Sequence, residues 1–289
     1  MVRIAAGQET CRAATGYEIG SNEEAQMPRV KTTINGQEIE VERDRWALDV
    51  IREMGIEVPT LCHHPALAPY GACRLCVVEV TKRGSTWLAT SCDLPIREGL
   101  SIRTDTEAVH RARRTALELL LAEAPEAEEI RRLARQMGLE HPRFAPRVEE
   151  GKCILCGLCV RVCRDLIGAS AICFADRATD RQVTSPFDVN AEACVGCMAC
   201  AAVCPTGAIE VVDDGYVRRI DPFSTELELL PCEVCGKPAV PAKLLPYLRA
   251  KVPDHVPVRA LCPACRRAEA AAGLSVPSRT GGVSTAPTP

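Results

Sequence analysis

The stretch EGKCILCGLCVRVCRD carries Cys153, Cys156, Cys159 and Cys163 with two, two and three residues between them. ACVGCMACAAVCPTGAI repeats the spacing with Cys194, Cys197, Cys200 and Cys204. Thiolates are the ligands of iron–sulfur clusters, and in a C-x2-C-x2-C-x3-C-P run the fourth cysteine reaches the neighbouring cluster of a pair. The spacing therefore assigns one [4Fe-4S] cluster to Cys153, Cys156, Cys159 and Cys204, and a second to Cys194, Cys197, Cys200 and Cys163. Pro205 follows the second run, whereas Arg164 replaces the proline of the first. That cation beside a negatively charged cluster is expected to raise its potential modestly. Gly157 and Gly196 let the backbone approach sulfide where a Cβ would crowd the cluster. Ile154, Leu155, Leu158, Val195 and Met198 are expected to keep water out. A pair of zinc sites is the competing occupancy.

Two further cysteine sets stand apart from these. Cys62, Cys73, Cys76 and Cys92 are separated by ten, two and fifteen residues. Three ligands from one loop and one from a distant strand suit a [2Fe-2S] rhombus beneath a loop, as in plant-type ferredoxins, although the spacing is not the plant one. Gly71 and Ala72 keep that loop small; a four-cysteine zinc site is the alternative. Cys232, Cys235, Cys262 and Cys265 form two C-x2-C knuckles with 26 residues between them. Such a pair reads as a closed, tetrahedral zinc ribbon, with a rubredoxin-type iron or a further cluster as the alternative. Cys173, in the apolar AICFAD, is expected to be an ordinary buried residue, and Cys11 to carry no role. His63 and His64 flank Cys62 and are expected to donate hydrogen bonds near the cluster rather than ligate it.

These ligands need elements to hold them. The chain has 289 residues, 47% hydrophobic but only 3% aromatic, which allows two or three small aliphatic cores supplemented by metal. No secretory signal pattern is present, so disulfides have no oxidising compartment and reduced, metal-binding thiols are expected in a cytoplasmic protein. No apolar run is long enough to span a bilayer, and a net charge of -3 gives no general attraction to nucleic acid. Residues 1–28 read as a flexible leader. RVKTTINGQEIEVER predicts a hairpin at Asn35-Gly36, and RWALDVIREMG a helix with Asp44 as N-cap, Gly55 as terminator and Trp46, Val50, Ile51 and Met54 on one face. With strands expected in CVVEVTK, STWLATS and LSIRT, residues 29–104 read as a β-grasp domain. Residues 105–148 read as a helical connector of two helices, TEAVHRARRTALELLLAEA with a solvated arginine face and PEAEEIRRLARQMG opening near Pro125. Residues 149–215 form the two-cluster ferredoxin-like domain, 226–268 the zinc-ribbon-like module, and 269–289 a disordered tail. The fold class expected is α+β.

PTLCHHPALAPYGACRLCVVEV, CILCGLCVRVC and CVGCMACAAVCPTGAI resemble the electron-transfer region of the large iron–sulfur subunit of complex I-type NADH dehydrogenases. They are equally similar to the iron–sulfur subunits of NAD-linked hydrogenases and formate dehydrogenases. The likeness covers about residues 29–215. In that family a [4Fe-4S] cluster held by one histidine and three cysteines lies in the connector. Here APEAEE joins the two helices directly and no cysteine lies between Cys92 and Cys153. His110 and His141 remain as lone histidines, so that cluster is expected to be absent and the two remaining cluster regions to meet directly.

The resemblance implies an electron-transfer subunit without a catalytic residue of its own. It would move single electrons between a flavin- and NAD(P)H-binding diaphorase partner, at the β-grasp end, and a NiFe hydrogenase or formate dehydrogenase. A place in a complex I-like, quinone-reducing assembly at the membrane periphery is the nearest alternative. A zinc-binding structural or assembly protein is the alternative from another class. No Gly-rich phosphate cradle follows a strand, so no nucleotide site is expected on this chain.

Overall fold

The computed structural model describes residues 28–147 and 150–273. The leader expected over 1–28, with Cys11, lies outside them but for its last residue, as does the tail from 274 onward. Two strands, β1 (Arg29–Ile34) and β2 (Gln37–Glu42), form the expected hairpin. Asn35 and Gly36 take φ of 49° and 86° between them, the left-handed pair that a tight hairpin requires. Helix α1 (Ala47–Glu53) follows, then β3 (Val77–Lys82), β4 (Ser85–Thr90) and β5 (Ser101–Arg103). The five strands lie in the order β2-β1-β5-β3-β4, with β1 and β5 parallel and the other pairs antiparallel. Leu48 and Ile51 of α1 pack with Ile34, Val78 and Ile102 of the sheet, an aliphatic core.

Asp44 does not cap α1. Its φ is 63°, whereas an N-cap needs extended backbone, and its carboxylate faces Arg97 at 3.3 Å. Trp46 occupies the cap position and pairs in a bridge with Pro95, so it sits half out of the core rather than on the packed face.

Helix α2 (Glu107–Glu123) is capped by the Thr106 hydroxyl, which accepts from the Val109 amide at 3.3 Å. Helix α3 (Glu128–Gln136) begins three residues after Pro125, consistent with the chain needing extended backbone around proline. The arginine face of α2 is not wholly solvated, because Arg113 is buried and reaches back to β3.

Short helices mark the second cysteine region. Helix α4 (Leu158–Arg161) runs into a wide π-helical turn over Val162–Ile167, where the proline usual to such a run is absent. A small hairpin of β6 (Cys173–Ala175) and β7 (Gln182–Thr184) follows, then α5 (Ala199–Ala202). Cys173 is partly exposed at the start of β6, not buried.

A four-stranded antiparallel sheet follows, made by β8 (Glu210–Asp214), β9 (Val217–Asp221), β10 (Thr225–Pro231) and β11 (Pro238–Pro241), in the order β11-β10-β9-β8. It ties residues on either side of 215–226 into one unit. Helices α6 (Leu244–Arg249) and α7 (Pro263–Gly273) end the described chain, so residues 269–273 are helical rather than disordered. Among the described residues no helix is long and apolar enough to cross a membrane.

Candidate metal centres

The first set is brought together by three elements. Cys62 lies on the loop after α1, Cys73 and Cys76 on the turn that enters β3, and Cys92 on a single 3-10 turn after β4. All four are buried. The Ser91 amide and hydroxyl both donate to the Cys76 carbonyl, at 3.0 and 2.8 Å, which fastens the turn of Cys92 to that of Cys76. The Cys73 amide donates to Cys62 Sγ at 3.4 Å. The thiols couple in two pairs. Cys73 is drawn down to about 6 by the thiol hydrogen bond with Cys62, and Cys76 to about 7 by that with Cys92. Cys62 and Cys92 are pushed up by the same pairing and by burial.

The two ferredoxin-type runs exchange their fourth cysteines in space. Cys204 lines one cavity with Cys153, Cys156 and Cys159; Cys163 lines another with Cys194, Cys197 and Cys200. Burial first, then the neighbouring cysteines, raises Cys156 to about 11 and Cys200 to about 12. The neighbour acting on Cys156 from the other ferredoxin-type run is Cys204, and on Cys200 it is Cys163.

These surroundings fit iron–sulfur occupancy, because main-chain amides already point at sulfur. Leu155 N donates to Cys153 Sγ at 3.5 Å, Gly196 N to Cys194 at 3.4 Å, and Ala171 N and Ala208 N to Cys163 and Cys204 at 3.3 Å each. Such N–H···S donation tunes cluster-bound sulfur. Ile154 and Leu158 are buried beside the first run as expected, whereas Met198 lines the cavity of the second run but stays 42% exposed.

The glycines are needed for a further reason that the sequence does not show. Gly157 and Gly196 both have φ of 70°, but a Cβ at Gly157 would meet the Phe174 ring at 3.0 Å, and one at Gly196 would meet Pro241 at 2.5 Å and Leu227 at 2.7 Å. The crowding comes from protein, and at Gly196 it comes from the four-stranded sheet clamped over the Cys194 loop. Arg218 of β9 strengthens that clamp, donating to the Gly196 carbonyl at 3.1 Å. Lys243 does the same from beyond β11, donating to the Glu192 carbonyl at 2.6 Å.

The first two sets meet directly. Cys62, Cys73 and Leu75 share one buried core with Ile154, Cys156 and Leu158, and Leu117 and Ile130 of α2 and α3 complete it. The connector helices thus fill the junction with aliphatic side chains. Arg161, between Cys159 and Cys163, spans the junction: its guanidinium donates to the Cys62 carbonyl at 3.0 Å and to the Ala68 carbonyl at 2.6 Å. Sequence reasoning missed this residue. Its signal was a cation in the otherwise apolar CVRVC.

The histidines play smaller parts. His64 accepts a hydrogen bond through Nδ1 from the Ala66 amide at 3.2 Å. His63 is held below its ordinary value by burial and then by Arg52. His110 and His141 are exposed on the connector.

At the far end, the sulfurs of Cys232, Cys235, Cys262 and Cys265 all lie within 4.8 Å of one another. The Cys262 amide donates to Cys232 Sγ at 3.4 Å. Four thiols at that separation can close around one metal ion.

Comparison with known proteins agrees with this geometry. The 2Fe-2S iron-sulfur cluster binding domain family matches residues 27–107, and the 4Fe-4S dicluster domain family matches residues 146–211. The chain carries two iron–sulfur domains. An NADH-quinone oxidoreductase subunit of Rhizobium meliloti is 31% identical over 233 residues, covering 72% of this chain and 27% of the relative. An NADP-reducing hydrogenase subunit of Solidesulfovibrio fructosivorans is 30% identical over 224 residues, covering 67% and 38%. An NADPH-Fe(3+) oxidoreductase subunit of Geobacter sulfurreducens is 29% identical, covering 62% and 24%. The chain thus spans only about a quarter to two-fifths of these relatives. A chain of the NAD+-reducing [NiFe]-hydrogenase, solved in the H2-reduced state, matches with a TM-score of 0.53 and 27% identity, over 67% of this chain and 88% of that one. The chain is homologous to iron–sulfur subunits of NAD(P)H-linked oxidoreductases and hydrogenases, and its connector lacks the motif of one histidine and three cysteines.

Proposed function

We propose that this chain is a non-catalytic relay subunit, cytoplasmic, carrying single electrons between a flavin- and NAD(P)H-binding diaphorase partner and a catalytic partner of the NiFe hydrogenase or formate dehydrogenase kind. Cys62, Cys73, Cys76 and Cys92 would hold a [2Fe-2S] cluster. Cys153, Cys156, Cys159 and Cys204 would hold one [4Fe-4S] cluster, and Cys194, Cys197, Cys200 and Cys163 the second. When bound, such clusters accept and release one electron each at potentials set by charge, hydrogen bonds to sulfur and solvent exposure. The protein supplies those settings: buried thiols, amides aimed at sulfur, and a dry aliphatic junction.

The observation that carries this reading is the shared core of Cys62, Cys73 and Cys156. It supports direct contact between the first two centres, in place of a cluster in the connector. The hydrogenase match over most of that chain's length favours a hydrogenase-type assembly. The NADH-quinone oxidoreductase relative supports the complex I-like alternative by the same chemistry.

For the C-terminal four cysteines we propose a zinc ribbon, 226–268, that docks rather than conducts, since zinc has no redox chemistry. Tyr247 of α6 donates to the Ile167 carbonyl at 2.7 Å, at the end of the turn bearing Cys163. The ribbon module thus braces the second centre.

Anaerobic titration with a reduced viologen tests the reading. About three electrons per chain are expected, one for each cluster. Uptake of a fourth would make the C-terminal site a redox iron, and uptake of none would overturn the relay.

A further inference from the structure

Three arginines are buried among the described residues: Arg113, Arg161 and Arg218. Each aims its guanidinium at a main-chain carbonyl in a cysteine loop or at the residue that follows one. Arg113 donates through Nε and one terminal nitrogen to Val77 O, the residue after Cys76, at 3.1 and 2.8 Å. Arg161 donates to the carbonyl of Cys62 itself, and Arg218 to that of Gly196, between Cys194 and Cys197.

The three differ in how their charge is balanced. Arg218 grips Asp213 with two hydrogen bonds of 2.7 and 2.8 Å. Arg113 and Arg161 form no ion pair among the described residues; their charge meets only carbonyls and, for Arg161, the Tyr70 ring at 5.1 Å. The Nε of Arg161 is buried with no hydrogen-bond partner at all. A carbonyl solvates a guanidinium but does not neutralise it, and a buried charge without a counter-charge is strongly unfavourable. Something negative must therefore stand near both. Iron bound by four thiolates and sulfide has net negative charge, and the carbonyl that holds Arg113 belongs to the residue next to Cys76.

We propose that Arg161 and Arg113 are counter-cations of the cluster sites: Arg161 shared between the Cys62 set and the Cys153 set, and Arg113 serving the Cys62 set alone. This rests on the cluster occupancy proposed above. A one-electron reduction makes and breaks no bond; it places one further negative charge beside the guanidinium, with the electron supplied by the chemical titrant. A fixed cation therefore favours the reduced state, and its removal lowers the midpoint potential. Arg161 also locates the two sites relative to each other, which makes it a positioning residue.

The test is an EPR-monitored redox titration of the whole chain under anaerobic conditions, with iron content measured on every sample. Arg161→Gln is expected to weaken reduction of both the [2Fe-2S] centre and the first cubane by about tenfold, about 59 mV for one electron, with the second cubane moving less. Arg113→Gln is expected to lower the [2Fe-2S] centre alone. Arg161→Lys, which keeps the charge and loses the planar fork, is expected to restore most of the potential. Unchanged potentials in a fully loaded Arg161→Gln protein would overturn the proposal, as would equal shifts for the glutamine and lysine variants. If Arg161→Gln fails to load, Arg113→Gln and Arg161→Lys decide by the same criteria. A parent chain that shows no centres would instead remove the relay reading on which the proposal stands.

Discussion

Cys204→Ser is expected to empty the centre of Cys153, Cys156 and Cys159 while the centre beside its own run stays loaded. Iron should fall by about four of the roughly ten atoms that two, four and four would supply. The spectrum left behind should match that of Cys153→Ser and differ from that of Cys200→Ser. Cys163→Ser should do the converse. The expectation follows from the cavities, where Cys204 lines the Cys153 site and Cys163 the Cys194 site. Each crossing is fixed by an amide on the crossing sulfur, from Ala208 for Cys204 and from Ala171 for Cys163. If Cys204→Ser matched Cys200→Ser, each run would be binding its own cluster.

The second large effect is expected at the other end of the chain. Cys262→Ala should remove one zinc per chain and open the loop of Cys232 and Cys235 and the segment from Leu261 through α7 to protease, with the iron content intact. The buried core around these cysteines is only Cys232, Leu261 and Cys262, with Ala239 and Cys265 beside it. That is far too little apolar surface to order the two knuckles alone; the neighbouring cluster of Val240 and Leu245, with Ala260 beside them, belongs to β11 and α6. In zinc-finger peptides the bound metal supplies about 10–16 kcal/mol of apparent folding free energy, so its loss should be felt locally and completely. β10 continues into the larger sheet and should persist as part of it. A variant that kept its protease resistance and metal content would show that these thiols hold no structural ion.

How much of this could be read beforehand depended on the range of the interaction. The hairpin at Asn35-Gly36 was legible because its cause is local, two residues that tolerate positive φ. The cysteine sets were legible because metal-ligand spacing is itself a local pattern. Asp44 misled because a good capping side chain counts only on extended backbone, and here the backbone is left-handed.

The arginines were beyond reach for another reason. Arg113 reads as one of several cations on a solvated helix face until β3, 36 residues earlier, is seen to offer it a carbonyl. Arg161 finds its partner 99 residues away. The sheet from β8 to β11 was the opposite case: TELELLP alternates buried and exposed residues in period two over most of its length, a signal present in the sequence. The glycine at 196 was recognised as obligatory, but its neighbours, Pro241 and Leu227, come from that sheet.

The central claim is that twelve of the cysteines form three separate iron–sulfur centres. Low-temperature EPR of anaerobically purified protein after dithionite treatment, with metal analysis of the same sample, addresses it most directly. Three distinguishable paramagnetic centres with about ten irons per chain are predicted. A colourless protein that carries zinc at these sites and shows no signal on reduction would contradict it.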